Sequence, residues 1–144
     1  MNSMCPGDAC LLVAGRLLCA RYVMMGWGKL TGFSGTIAYM AATGAPWPGL
    51  SAVISIVVEL GLGALLAFGA FTAPIATLFA LYTIVTVIIG HHYWPFSGME
   101  RYDMWIHFYK NFSIAGGFLA LASAGPGRFS RDTLLNSTTR NVRS

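Results

Sequence analysis

The chain has 144 residues, 56% of them hydrophobic and only 10% charged. A soluble domain of this size carries about a quarter charged residues, so the composition excludes a freely soluble fold and indicates a membrane protein. The formal charge of +4 lies mostly behind residue 125, where Arg128, Arg131, Arg140 and Arg143 outnumber Asp132. A basic tail after an apolar helix reads as a cytoplasmic anchor, not as a nucleic-acid surface.

Four apolar stretches follow one another: residues 11–28, 50–71, 73–94 and 105–124. Each is about the length a helix needs to cross roughly 30 Å of hydrocarbon. The expected fold class is therefore an all-α membrane protein, a four-helix transmembrane bundle in one domain, 11–124. It is preceded by an N-terminal cytoplasmic segment, 1–10, and followed by a basic cytoplasmic tail, 125–144.

The first stretch lacks a basic flank and a small-residue cleavage pattern, so it reads as a span and not as a signal peptide. It ends at Gly26-Trp27-Gly28-Lys29, where a ring and a lysine suit the interface. Ser34 or Thr36 is placed to cap a short helix carrying Ile37, Tyr39 and Met40, too short to span and so expected in the interface. Gly44-Ala45-Pro46-Trp47-Pro48-Gly49 turns the chain into the second span. Thr72-Ala73-Pro74 is the expected turn between the second and third. With the tail inside and an even number of spans, both termini are cytoplasmic, and loops 29–49 and 95–104 face outward.

Small and polar residues recur at helical spacing. Gly15, Cys19, Tyr22, Gly26 and Lys29 share a face of the first helix, and Ser51, Ser55, Glu59 and Gly63 share one of the second. Such stripes allow close approach of helices in lipid, where hydrophobicity gives no drive for association. Packing alone does not account for Glu59. An ionised group at mid-membrane costs roughly 2.5–3.5 kcal/mol on insertion scales, so it needs a partner or a purpose. Arg21 and Glu59 fall at similar depths, and Arg16 lies about two turns away on a long stem, so either arginine is the expected partner. His107, Lys110 and Asn111 fall on one face of the fourth helix, and His91 and His92 end the third at the same level. These residues outline an outward pocket of Arg16, Glu59, His91, His107, Lys110 and Asn111, rimmed by Lys29, Tyr39, Trp47 and Trp94. It serves a register-fixing polar network, a quinone-associated redox site or a proton path.

No metal site is expected: adjacent helical histidines point about 100° apart, and no His-Glu-x-x-His pattern occurs. Cys5, Cys10 and Cys19 contain no Cys-x-x-Cys, and a cytoplasmic N-terminus disfavours a lasting disulfide.

The ordered set Gly15-Arg16-Leu17-Leu18, Gly26-Trp27-Gly28-Lys29-Leu30, Tyr39-Met40, Gly44-Ala45-Pro46, Val58-Glu59-Leu60 and His91 with Tyr93-Trp94 resembles the DoxX family of small membrane proteins. Lys110-Asn111-Phe112-Ser113-Ile114-Ala115-Gly116-Gly117, then Gly125-Pro126-Gly127-Arg128-Phe129-Ser130, extends the resemblance over about residues 11–132. The resemblance implies a four-helix protein of the bacterial inner membrane. Some members are similar to subunits of a thiosulfate:quinone oxidoreductase, others to membrane partners of thiol-redox enzymes. It implies a small or accessory subunit of a quinone-linked assembly, with Arg16, Lys29, Glu59, His91, Lys110 and Asn111 as the positions that matter. Its expected partners are the lipid bilayer and a larger membrane complex or redox enzyme, without nucleic acid. The rival reading is a non-enzymatic structural or assembly subunit packed against a larger complex.

Overall fold

The computed structural model describes residues 6–125 and is helical throughout. Helix α1 covers Pro6–Thr31, α2 Phe33–Ala42, α3 Pro48–Ile56, α4 Gly63–Ala67, α5 Thr72–Gly90 and α6 Gly98–Ala124. A π-helical segment, Val57–Leu62, joins α3 to α4, so the three run on as one rod, Pro48–Ala67. The described residues thus form five helical rods. Among the described residues, three stretches are long and apolar enough to cross a membrane: Ala9–Thr31, Pro48–Ala67 and Thr72–Gly90. Helix α6 is long enough at 27 residues, but it carries Glu100, Arg101, Asp103, His107, Lys110 and Asn111 and is not among the three.

Glycines close two of the rods in the same way. Gly44 takes the left-handed conformation at φ 76°, its N–H bonding to Ala41 O while that of Ala45 reaches Met40 O. Gly69 repeats the pattern at φ 68°, with Gly69 N–H on Leu66 O and Ala70 N–H on Leu65 O. Both pairs of bonds satisfy carbonyls that a helix end leaves open, and glycine takes this conformation without a Cβ clash. The turn into α5 is therefore at residues 68–71, four residues before the expected Thr72-Ala73-Pro74. Those three instead form the first helical turn, where a proline removes no needed N–H.

Other boundaries also move. Helix α5 ends at Gly90, so the expected span to residue 94 is too long. Most of the expected loop 95–104 is helical from Gly98, which puts Glu100, Arg101 and Asp103 on the first two turns of α6. The short helix stands where expected, but Gly32 precedes it and no side chain caps it. Thr36 instead donates to the carbonyls of Lys29 and Gly32, tying α2 back to α1. The basic tail and Cys5 lie outside the described residues.

The core gathers Cys19 and Tyr22 of α1, Leu66 of α4, Ile75, Ala76, Phe79 and Ala80 of α5, and Ala115, Phe118 and Leu121 of α6. Phe79 stacks on Phe118 with ring centroids 5.1 Å apart, and Tyr22 tilts against both, at 4.8 and 5.5 Å. Ala76, Ala80 and Ala115 keep the backbones of α5 and α6 close, as lipid-embedded helices require. The Tyr22 hydroxyl is satisfied inside this core by Thr83, whose own proton goes to the Phe79 carbonyl. The core fills the end of the bundle where α1 begins and α6 ends and leaves the other end open.

Candidate functional site

The open end holds a cavity of about 640 Å³, walled by α1, α2, α3, the π segment and α5, with Asn111 contributed by α6. Its inner end is built on Glu59, which is 4% exposed and lies within the π segment. A π turn adds a residue to the helical repeat and is often found where a side chain must be aimed. Helix α1 reaches this turn because residue 26 is glycine: a Cβ there would stand 2.9 Å from both Glu59 Cβ and Leu60 Cγ. One turn further on, Lys29 donates its ammonium proton to Glu59 Oε1. The Tyr82 hydroxyl of α5 donates to the same oxygen at 2.8 Å. The other oxygen, Oε2, is buried and has no hydrogen-bond partner among the described residues.

The partner of Glu59 is thus Lys29, not Arg16 or Arg21. Depth alone suggested the arginines, but the α1 face that meets the π segment is set by Tyr22, Gly26 and Lys29. Arg16 is exposed near the opposite end of the bundle, beside Phe68, Gly69 and Thr72. Arg21 does line the cavity, its guanidinium 5.5 Å from the centre of the Tyr22 ring.

His91 and Asn111 line the cavity as expected. His91 stacks on His107 at 5.1 Å with the rings 20° apart, and its Nδ1 is buried with no partner among the described residues. Burial pushes the His91 pKa down to about 4, and the neighbouring His107, Lys110, Arg21 and His92 push the same way. The imidazole is neutral at ordinary pH. Asn111 donates its amide to the His107 carbonyl at 2.7 Å. His107 and Lys110 are not in the cavity wall: Lys110 is exposed and bonds His107 Nδ1 at 2.9 Å, behind His91. His92 turns away, bonding the Ile89 carbonyl and lying against Trp94 and Phe96. No group of three His, Cys, Asp or Glu side chains is placed to share a metal ion among the described residues.

Of the expected rim, Lys29 and Tyr39 line the cavity, while Trp47 and Trp94 do not and are exposed. Tyr39 donates to the Gly90 carbonyl at 3.3 Å and so pins α2 over the end of α5. Tyr82 was the residue that sequence reasoning missed. A lone tyrosine inside an apolar span needs a partner for its hydroxyl, and that was the available signal.

The DoxX family model matches residues 11–92. The chain is 46% identical over 122 residues to inner membrane protein YphA of Escherichia coli K12, covering 85% of this chain and 87% of that protein. It is 39% identical over 129 residues to inner membrane protein YqjF of the same organism, covering 90% and 94%. No solved structure matches it. The family match holds the residues that build the inner end of the cavity and stops short of the Lys110–Gly117 segment of α6.

Proposed function

The chain belongs to the DoxX family, and from that premise we propose that it is a small accessory subunit of a quinone-linked redox assembly in the inner membrane. The proposal takes the chain as a four-span bundle in which α6 supplies the fourth span and α2 lies in the interface. Helix α6 is roughly 40 Å long at about 1.5 Å per residue. Asn111 is its polar residue that reaches the cavity. Both termini are cytoplasmic, so the cavity lies toward the outer side of the membrane.

One observation carries the functional reading. A buried carboxylate oxygen, Glu59 Oε2, has no partner among the described residues and stands at the inner end of a cavity large enough for a ring. A buried polar atom without a hydrogen bond costs roughly 1–3 kcal/mol and so calls for an explanation, of which a bound ligand is one. The wall fits a quinone-type ring. Lys29 and Asn111 would hold a ring oxygen that accepts, Glu59 one that donates, and Tyr22 and Tyr82 the ring faces. Bound there, such a ring supplies two-electron redox chemistry. The chain's own groups would orient it, exclude water and set a carboxylate beside a ring hydroxyl, to accept its proton as the ring is oxidised and return it as the ring is reduced, the electrons passing to or from the partner enzyme.

The test is affinity purification of the whole protein from native membranes in mild detergent, for the wild type and Glu59→Gln. A redox enzyme and quinone retained by the wild type, with the quinone lost from the variant, is the expected result. A complex that retains its partner but holds quinone in neither form would instead favour the assembly-subunit reading, which the small-residue packing of α1, α5 and α6 serves equally well.

A further inference from the structure

Resting on the reading of the cavity as a binding site, we infer that it is filled sideways from the bilayer, through the cleft between α3 and α5. The occupant is an amphiphile whose hydroxyl donates a hydrogen bond to Glu59 Oε2.

The route follows from how the rods pack. Helix α5 runs along α6 and touches the Pro48–Ala67 rod chiefly at its α4 end, next to the turn that joins them. Toward the open end α3 and α5 part, and the cavity lies between them. Ile54 of α3 is 50% exposed and Val85 of α5 is 55% exposed, and both line the cavity. A mouth edged by β-branched apolar side chains matches acyl chains and not water. Helix α2 lies along the other side of the cavity and is tied down at both ends. Its Tyr39 is bonded to the end of α5, its Thr36 to the end of α1, and the segment behind it buries Ala45 to 8% exposure.

The head group follows from the inner end. Glu59 Oε1 already accepts from Lys29 and Tyr82, and with the lysine it forms an ion pair. An ionised carboxylate only accepts hydrogen bonds, so Oε2 is satisfied by a donor and by nothing else. A head bearing only carbonyl or ether oxygens meets Oε2 lone pair to lone pair. A phenolic or hydroquinone-type hydroxyl donates to it. The site therefore selects the hydroxylated form of a ring ligand over a form of the same shape without the proton. This names the substrate class of the cavity and, for a quinone couple, its reduced member.

Three probes separate the parts of the inference: 4-decylphenol, 4-decylanisole and phenol. Each is measured by equilibrium dialysis against the full-length protein in lipid nanodiscs, with empty nanodiscs subtracted. The expected order is decylphenol tightest, decylanisole weaker by roughly ten- to hundredfold for the missing donor, and phenol weaker still for want of a tail. Val85→Trp, which narrows the mouth, is expected to slow the uptake of decylphenol, and Glu59→Gln to shrink the phenol-to-anisole ratio. Equal binding of decylphenol and decylanisole overturns recognition by the carboxylate while leaving the cavity a binding site. Phenol matching decylphenol, with Val85→Trp without effect, overturns the sideways route. Failure of all three to bind overturns both the inference and the binding-site reading beneath it. The wild-type series decides these points even if a variant folds poorly.

Discussion

Tyr82 and Thr83 are neighbours on α5, yet they serve opposite ends of the bundle. Thr83 is 1% exposed and closes a small polar chain inside an apolar core: Tyr22 donates to it, and it donates to Phe79 O. Tyr82, about 100° further round the helix, sends its hydroxyl to a carboxylate at the end of a cavity. In the first region the hydroxyls of Tyr22 and Thr83 are partnered inside the core, and rings and alanines fill the space. In the second, a charge is buried on a π-helical turn and one of its oxygens has no partner among the described residues. The contrast shows that polar atoms in this bundle are not merely tolerated. Tyr22 and Thr83 are satisfied within the core, whereas the unpartnered oxygen belongs to a residue that lines a cavity.

The largest effect is expected in the filled end. Phe79→Ala removes a fully buried ring from the Tyr22–Phe118 stack and should cost about 3–5 kcal/mol, read as a lower unfolding midpoint in detergent. If the two ends are as separate as they look, the residual folded protein keeps its cavity ligand. Next comes the ion pair at the open end. Lys29→Met leaves Glu59 buried without its cation and should cost about 1–3 kcal/mol. Adding Glu59→Gln to it should recover part of that loss, a coupling that independent sites would not show. Tyr39→Phe, which frees α2 from Gly90, is expected to cost about 0.5–1.5 kcal/mol and to raise hydrogen exchange in α2 but not in α5.

The smallest effect concerns pH and His91. Its folded pKa of about 4 lies below the ordinary histidine value, because burial and nearby cations disfavour the charged ring. Above about pH 6.5 the ring is neutral in both folded and unfolded chains and contributes no slope. Between about 6.5 and 4 the unfolded chain binds the proton and the folded one does not, so stability falls as pH falls through that window. Unfolding midpoints of wild type and His91→Asn, measured at pH 7.5 and pH 5, should show a smaller drop in the variant.

Much of this was legible in the sequence, and the misses have physical causes. The face Gly15, Cys19, Tyr22, Gly26, Lys29 was readable from spacing alone, and every member faces another helix or the cavity in the folded chain. Glu59 stood out because a charge among apolar residues is conspicuous. Its partner was misjudged because helix depth was weighed and helix face was not, and the face led to Lys29. The π segment leaves no mark in residue types, since Val57–Leu62 would serve equally as α-helix. Lys110 shares a helix face with His107, but its side chain is exposed and bonds the imidazole, which stays against His91. The turn at 68–71 was masked by Phe68 and Phe71, whose rings extend the apolar run past the glycine that ends the helix.

The central claim is that the open end holds a ligand through Glu59 while the filled end holds none. Native mass spectrometry of the purified wild-type protein and of Glu59→Gln, released from the same membranes under the same conditions, tests it most directly. The wild type should carry a bound small molecule at defined stoichiometry, and the variant should have lost it while remaining folded. An identical spectrum from both proteins, bare or carrying the same lipids, would contradict it.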